Sequence, residues 1–467
     1  MLTIINTTVG KGKTGKHIWM EGAKLAHAVE PGQILSHSVS ETSTGVKLVL
    51  TRGNSDNGAG QVRVSKRTRN AVIKPLIELR EDVLGDNFTL GMKVRVVVSS
   101  QYITVEIHAQ ELSKHERTNR LRTKLENKQP LQVGSLFLGG GVLDRALHDG
   151  LQAAGIESYP KFVVERESKY LDAAIANQPE VFKEDSILIH SSVEDVHLEK
   201  PVPVEVLVAG IPCTGASKAG RSKNKIAKAE DHESAGACFV SVLSFVYACA
   251  PYMVILECVP EYINSASYSV VSAMLRHWGY NVNTEVLDGN EFGSLEGRKR
   301  MCIVAVTETS EQHQPFDFGL LTSHFAKEQC VSEILDEVPL DSERWRTYDY
   351  LLVKEDRDKA KGNGYSRDIY DGNEEKVTTI RRLYAKGGSC EQFLQHPEDD
   401  KKFRLFTAQE HCRIKKVPEQ LIANLAQTTA HEVLGQGVIY PVFYSLGFAL
   451  GHYMENCFIE TQTKKVA

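Results

Sequence analysis

No two cysteines of this chain stand at Cys-x-x-Cys spacing, although nine are present, at 213, 238, 249, 258, 302, 330, 390, 412 and 457. An odd, scattered set supports neither a zinc site nor a disulfide framework, so no metal and a reducing, cytoplasmic setting are expected. No stretch approaches 18 consecutive apolar residues, which argues against a membrane span. Lys11, Lys13 and Lys16 have no apolar run behind them, so no secretory signal is expected. Internal repeats and low-complexity tracts are lacking too.

What is present is 467 residues with 42% hydrophobic and 7% aromatic content, enough for a large catalytic domain and one or two smaller modules. The net charge of −5 is uneven. Residues 1–130 hold 20 Lys and Arg against 12 Asp and Glu, and the remainder 35 against 48. A basic first third on an acidic chain points to a polyanion as its partner; chance imbalance on solvated surfaces is the alternative.

Five regions follow from the patterning. Residues 1–112 alternate apolar and polar at Val46–Thr51 and Gln61–Ser65, and Gly91–Val98 leads through a turn to Tyr102–Ile107. These are β-strand signals, with turn chemistry at Pro31-Gly32 and at 53–60, and they predict a small barrel. Residues 113–130 are charged, lack a broad apolar face and end at Pro130, which reads as a helical or flexible linker. In 131–310, apolar runs at 134–138, 161–165, 204–209, 253–257 and 301–306 are separated by helical stretches. That pattern predicts an α/β fold, a parallel sheet with helices on both faces. Residues 311–402 are mixed and polar, and 403–467 contain helical segments at 407–428 and 438–455.

The first apolar run ends in Phe137-Leu138-Gly139-Gly140-Gly141 before a helix from Asp144. Glycines at a strand-to-helix turn let backbone N–H groups approach a ligand. The second run ends in Glu165, a carboxylate placed for ribose hydroxyls. Because this turn is not a full Gly-x-Gly-x-x-Gly, an adenosine without phosphates is favoured; a tight turn in any α/β protein is the alternative. The run 204–209 leads to Gly210-Ile211-Pro212-Cys213, a thiol at a strand end where α/β enzymes keep reactive groups. Alone, such a Cys is more often a buried small hydrophobe than a catalyst. Glu257 ends the next run, where it can accept from, or when protonated donate to, a heterocycle edge. Arg298 and Arg300 enter the last run, one able to face the site while the other faces out or pairs elsewhere.

In this order, Phe137-x-Gly139-x-Gly141, Glu165, Pro212-Cys213, Glu257-x-Val259 and Arg298-x-Arg300 resemble the consecutive motifs of the DNA cytosine-5 methyltransferase family. The segment from Arg404 through Glu410 and Arg413 to Pro418 resembles the family's segment after its target-recognition region. Gly435-Gln436-Gly437-Val438 resembles its last motif. The resemblance covers about 131–310 and 403–455, and implies a Rossmann-like S-adenosylmethionine-dependent sheet with a target-recognition region at 311–402. It implies that Phe137, Gly139, Gly141, Glu165, Ser192, Gly435 and Val438 hold S-adenosylmethionine, and that Cys213 adds to carbon 6 of cytosine. Glu257 would hold the N3/N4 edge of a flipped-out base, and Arg298, beside Arg300, would hold O2 and orient Cys213. It further implies double-stranded DNA as partner, with Lys218, Arg221, Lys223 and Lys225 on a mobile catalytic loop and Arg381, Arg382 and Lys386 in the recognition region reaching DNA. Restriction-modification is the implied setting.

The chain departs from the family pattern at Thr214, Cys258, Glu296, Ser135, Ser192 and Gln436, which stand for Gln, Asn, Gln, Asp, Asp and Asn. A degenerate DNA-binding regulator and an RNA cytosine-5 methyltransferase remain open beside the DNA enzyme. Arg63, Lys66, Arg67 and Arg69, with the hairpin after Phe88, give the first 112 residues a faint resemblance to swapped-hairpin β-barrel DNA-binding domains. Dimerisation through this part, or protein docking, is the alternative.

Overall fold

The computed structural model describes residues 1–467 except 14, 43–44, 53–59, 70–71, 201, 234, 310–314 and 464–467; for 69, 218–219, 223 and 459–463 it describes the backbone only. The turn expected at 53–60 thus lies outside the described residues but for Gly60. The chain divides into two units, Met1–Glu116 and Arg117–Ala467.

The larger unit is built on a seven-stranded sheet. Its strands are β1 Leu131–Leu136, β2 Ser158–Glu165, β3 Ile187–His190, β4 Val206–Gly210, β5 Met253–Cys258, β6 Tyr280–Asp288 and β7 Lys299–Thr307, in the order β3-β2-β1-β4-β5-β7-β6. The first five run parallel, and β7 is antiparallel to both β5 and β6. Successive residues of β4 show why apolar runs were needed. Val206 and Val208 face one core, with helices Val142–Ala153 and Tyr440–Thr463; Leu207 and Ala209 face the other, with helices Cys238–Cys249 and Ala266–His277. The five expected strands are present. The edge strands β3 and β6 were not among the expected ones: β3 is a short, mostly exposed run of three apolar residues, and β6 alternates apolar and polar residues and is only partly buried. The strand order reverses between β1 and β4, the position where open α/β sheets bind ligands beyond their carboxyl ends.

The C-terminal segment returns to this sheet. Helices Gln427–Gln436 and Tyr440–Thr463 bury Val433, Leu434, Phe443, Leu446, Leu450 and Met454 beside β1 and β4. No single helix among the described residues is long and apolar enough to cross a membrane. Between β7 and these helices, short strands Asp368–Tyr370, Gln392–Gln395 and Phe403–Arg404 form a small sheet over a core of Leu295, Tyr370, Ile380, Tyr384, Leu394 and Phe406. Arg404 ties it down. Its guanidinium donates two hydrogen bonds of 2.7 Å to Glu410, and both side chains are buried. Thr407 and Glu410 close a capping box on helix Ala408–Ile414.

Of the two forms expected for residues 113–130, the helical one is present through Glu126. A helix spans Ala109–Glu126, and its second half carries cations that point into the larger unit. Arg117 lies 4.1 Å from the Tyr280 ring centre and donates to the Trp278 carbonyl. Arg120 and Lys124 both pair with the fully buried Glu205 at the start of β4. Charge without an apolar stripe looked like a solvated segment. The buried carboxylate that receives it lies some eighty residues further on.

The smaller unit has two antiparallel sheets around one aliphatic core that includes Leu48, Leu50, Ile77, Leu79, Val94 and Val96. The six-stranded sheet runs Thr3–Thr8, Lys93–Val98, Tyr102–Ile107, Gly45–Arg52, Ile34–Thr42, Gly60–Arg63; the four-stranded one runs Gly10–Gly12, Gly15–Glu21, Val72–Arg80, Ser65–Arg69. The expected hairpin is present, with Val98 opposite Ile103. In place of a single barrel the chain passes between sheets at Val64, which bonds to Gln33 and Gly32, so that Arg63 belongs to one sheet and Lys66 and Arg67 to the other.

Candidate active site

At the end of β1 the backbone turns sharply. Phe137, Gly139 and Gly141 all take positive φ, at 60°, 57° and 76°. Glycine is needed at 141 for a second reason: a β-carbon there would lie 2.7 Å from the Gln178 amide. Gln178, buried and not singled out from sequence, donates to the Gly140 carbonyl at 3.1 Å. At the tip of β2 the Glu165 carboxylate accepts from the Gly139 N–H at 2.7 Å and the Glu167 N–H at 2.8 Å. Its remaining lone pairs stay available to a ribose. The Gln436 side-chain amide nitrogen is buried without a partner beside Gly139. A fixed carboxylate, a glycine turn and an unsatisfied donor fit the adenosyl and amino-acid ends of S-adenosylmethionine. Ser192 donates to Asp195 at 2.5 Å, so the carboxylate near this end of the sheet stands three residues beyond the position expected.

The chemical end lies across the switch point. Cys213 is exposed in the turn after β4, where its carbonyl accepts from Ala216 and Ser217. Glu257 ends β5, directly opposite Gly210, and its carbonyl accepts from Ile211 at 2.9 Å. Cys258 donates to the Ile211 carbonyl at 3.4 Å, so this buried thiol braces the segment leading to Cys213. The Arg300 Nε lies 2.8 Å from Glu257 Oε1. Burial raises the Glu257 carboxyl pKa against the opposing pull of Arg300, Arg298 and Lys415. The site therefore offers a solvent-reachable thiol, a carboxyl inclined to keep its proton, and a guanidinium locked to it.

The C-5 cytosine-specific DNA methylase family matches residues 132–452. The chain belongs to this family. It is 24% identical over 321 residues to the type II methyltransferase M.Bsp6I of Bacillus sp. (strain RFL6), covering 67% of this chain and 96% of that one. It is 25% identical over 260 residues to M.SsoII of Shigella sonnei, covering 53% of this chain and 64% of that protein's length. Among solved structures, the S. pombe Dnmt2 methyltransferase aligns with a TM-score of 0.54 at 16% identity, over 70% of this chain and 99% of its own. The Entamoeba histolytica methyltransferase EhMeth aligns with a TM-score of 0.52 at 17% identity, over 70% and 98%. These two show a shared α/β methyltransferase fold.

Within this methylase frame the two arginines have different surroundings. Arg298 directs its hydrogen bonds to partners other than Glu257. It is buried and donates to the carbonyls of Ile380 (3.2 Å), Gly435 (3.0 Å) and Gln436 (3.5 Å), and to Glu296 at 3.3 Å. Lys415, fully buried, donates to the carbonyls of Leu434 and Gly437. Burial lowers its amine pKa to about 7. Together the two cations satisfy the last carbonyls of helix Gln427–Gln436, which a helix terminus otherwise leaves orphaned. They fix the turn that sets Gln436 beside Gly139. Gly435 is needed for the same packing, since a β-carbon there would meet the Arg381 carbonyl at 2.3 Å. Val438 is a buried core residue.

The segment after Cys213, expected as a loop, holds a short helix Lys218–Asn224 capped by Ser217, which accepts from Gly220. Ser217 is a strong N-cap type, and that local bond favours the turn of helix. Arg221 donates to the Ala227 carbonyl at 3.5 Å, and Lys225 ends the helix in the left-handed region. The side chains of Lys218 and Lys223 lie outside the described residues. Arg381, Arg382 and Lys386 are exposed, and the Arg382 guanidinium lies 5.5 Å from the Tyr170 ring centre.

Proposed function

We propose that the protein methylates carbon 5 of cytosine in double-stranded DNA, with S-adenosylmethionine as methyl donor and a covalent bond between Cys213 and carbon 6 of a flipped-out base. The observation that carries this reading is the exposed Cys213 thiol at the end of β4 beside the Glu257–Arg300 pair at the end of β5. Cytosine carbon 5 is a poor nucleophile. Thiolate attack forms the Cys213 S–C6 bond and makes carbon 5 enamine-like. Glu257, inclined to stay protonated, donates to N3 and stabilises the charge that develops on the ring. The Arg300–Glu257 pair favours Arg300 over Arg298 as the guanidinium that would hold the O2 edge. S-adenosylmethionine supplies an electrophilic methyl group when bound, and Phe137, Gly139, Gly141, Glu165 and Gln436 are the residues that would hold it. Loss of the carbon 5 proton to solvent then lets the S–C6 bond break while N3 returns its proton to Glu257, regenerating the thiolate and releasing 5-methylcytosine.

The test is incubation with labelled S-adenosylmethionine and duplex DNA or RNA, followed by base analysis, and trapping on 5-fluorocytosine DNA. Label is expected in 5-methylcytosine from duplex DNA, with a covalent adduct that Cys213→Ser abolishes. Label in RNA alone would assign the RNA enzyme. Cofactor binding without any methylated base would assign a DNA-binding regulator.

A further inference from the structure

The larger unit is acidic: residues 117–467 hold 40 Lys and Arg against 49 Asp and Glu, whereas residues 1–116 hold 15 against 11. A duplex carries one phosphate charge per roughly 1.7 Å of axis, and affinity for it comes largely from lysines and arginines that displace counterions. One acid-free basic stretch lies in a hairpin of the smaller unit. Residues 65–74 contain Lys66, Arg67, Arg69 and Lys74 and no acid.

The hairpin's two described strands form a ribbon. Strand Ser65–Arg69 is the edge of the four-stranded sheet and pairs antiparallel with Val72–Arg80, Arg67 opposite Lys74 and Thr68 opposite Ile73. On the longer strand the buried residues stop at Pro75; Val72, Ile73 and Lys74 are all exposed, as are Lys66 and Thr68 opposite. Both faces of the ribbon are therefore open beyond the core. One presents Lys66, Thr68 and Ile73, and the other Arg67, Val72 and Lys74. Arg67 is oriented by Glu21 and by the Trp19 ring, whose centre lies 5.3 Å from its guanidinium carbon. A B-form major groove, about 12 Å wide, admits a two-stranded β-ribbon. Cations along the ribbon suit the phosphates of the groove walls, and the β-branched Thr68, Val72 and Ile73 suit apolar base edges.

We infer that the paired strands Ser65–Arg69 and Val72–Leu76 are a second duplex-DNA contact, a basic β-ribbon that adds to the affinity for DNA. The inference rests on the proposed DNA substrate, but its test reads binding, not methylation. In the full chain, Lys66→Gln/Lys74→Gln is compared with wild type and with Lys66→Arg/Lys74→Arg by fluorescence anisotropy on a labelled duplex across a salt series. The Gln pair is expected to weaken binding at least about 10-fold at low salt and to reduce the slope of log K against log salt by about 2. The Arg pair is expected to keep the wild-type slope, and kcat at saturating DNA is expected to be unchanged in both. An unchanged slope in a Gln variant with a wild-type melting curve overturns the inference. So does self-association of that variant at wild-type DNA affinity, which would make these cations guards of an open sheet edge. A slope that falls as expected in a protein that methylates no DNA would keep the ribbon and discard the proposed reaction.

Discussion

The two units bury different things. Among the described residues of the smaller unit, the buried polar side chains are Ser36, Thr104 and Glu111, set in an aliphatic core. The larger unit buries Ser135, Asp144, Glu205, Glu257, Glu296, Arg298, Glu410 and Lys415, among others. A buried charge costs several kcal/mol unless it is paired and hydrogen-bonded, so each of these has to be placed by neighbours. Apart from Glu111, the charged side chains described in the smaller unit meet solvent, where charge costs little. The comparison teaches that single polar changes act inside the larger unit through structure and chemistry, and on the smaller unit through contact.

The largest effect is expected where a buried ion pair loses one member. Arg404→Met leaves Glu410 charged and buried, and about 3–5 kcal/mol of stability should be lost, read from denaturant midpoints. A loss below about 1 kcal/mol would mean that the interior charges are not structural, and the contrast with the smaller unit would collapse. Next is Glu257→Gln, expected to lower kcat on the order of 10²- to 10³-fold while DNA binding persists. Because burial raises the Glu257 pKa, the carboxyl holds its proton to higher pH than usual and loses it as pH climbs. Wild-type turnover should therefore decline as pH climbs through that ionisation, and the Gln variant, which has no such proton to lose, should lack that decline.

Much of the larger unit was legible because its chemistry sits at the ends of apolar runs. Glu165, Cys213 and Glu257 each follow a strand that a period-free apolar stretch announces, and the structure sets all three at or just beyond the carboxyl ends of the sheet. The arginines were legible as a pair but not individually. Arg300 lies within β7, whose pleat directs it to Glu257. Arg298 precedes the strand, where the backbone ties of Gly289 and Gly297 to Arg298 and Val377 set its direction. Lys415 gave no signal, because nothing local marks a lysine that will cap a helix some twenty residues on. The ion pairs of Arg120 and Lys124 gave no signal for the same reason: their partner Glu205 lies just before a distant strand.

A smaller effect separates buried polar groups that titrate. The Asp144 carboxyl is buried near Ser135, and burial raises its pKa to about 7. In the unfolded chain it ionises near 4. Between about pH 4 and 7 the folded state therefore binds more protons than the unfolded one, and stability declines as pH rises, by up to about 1.4 kcal/mol per unit. Asp144→Asn should remove this slope; a variant whose stability still falls as steeply over that window would place the titrating group elsewhere.

The smallest effect belongs to the smaller unit. Lys47 and Glu106 pair across neighbouring strands at 2.8 Å, each about one-third exposed. Water and salt screen such a pair, and holding two long side chains together costs entropy, so Lys47→Gln should change stability by less than about 1 kcal/mol. Raising the salt concentration should narrow even that difference, whereas the deficit of Arg404→Met, whose partner is shielded from ions, should persist. If Lys47→Gln were as damaging as Arg404→Met, the surface charges of the smaller unit would be part of its architecture, and the spare positive charge on its hairpin would no longer be evidence of a partner.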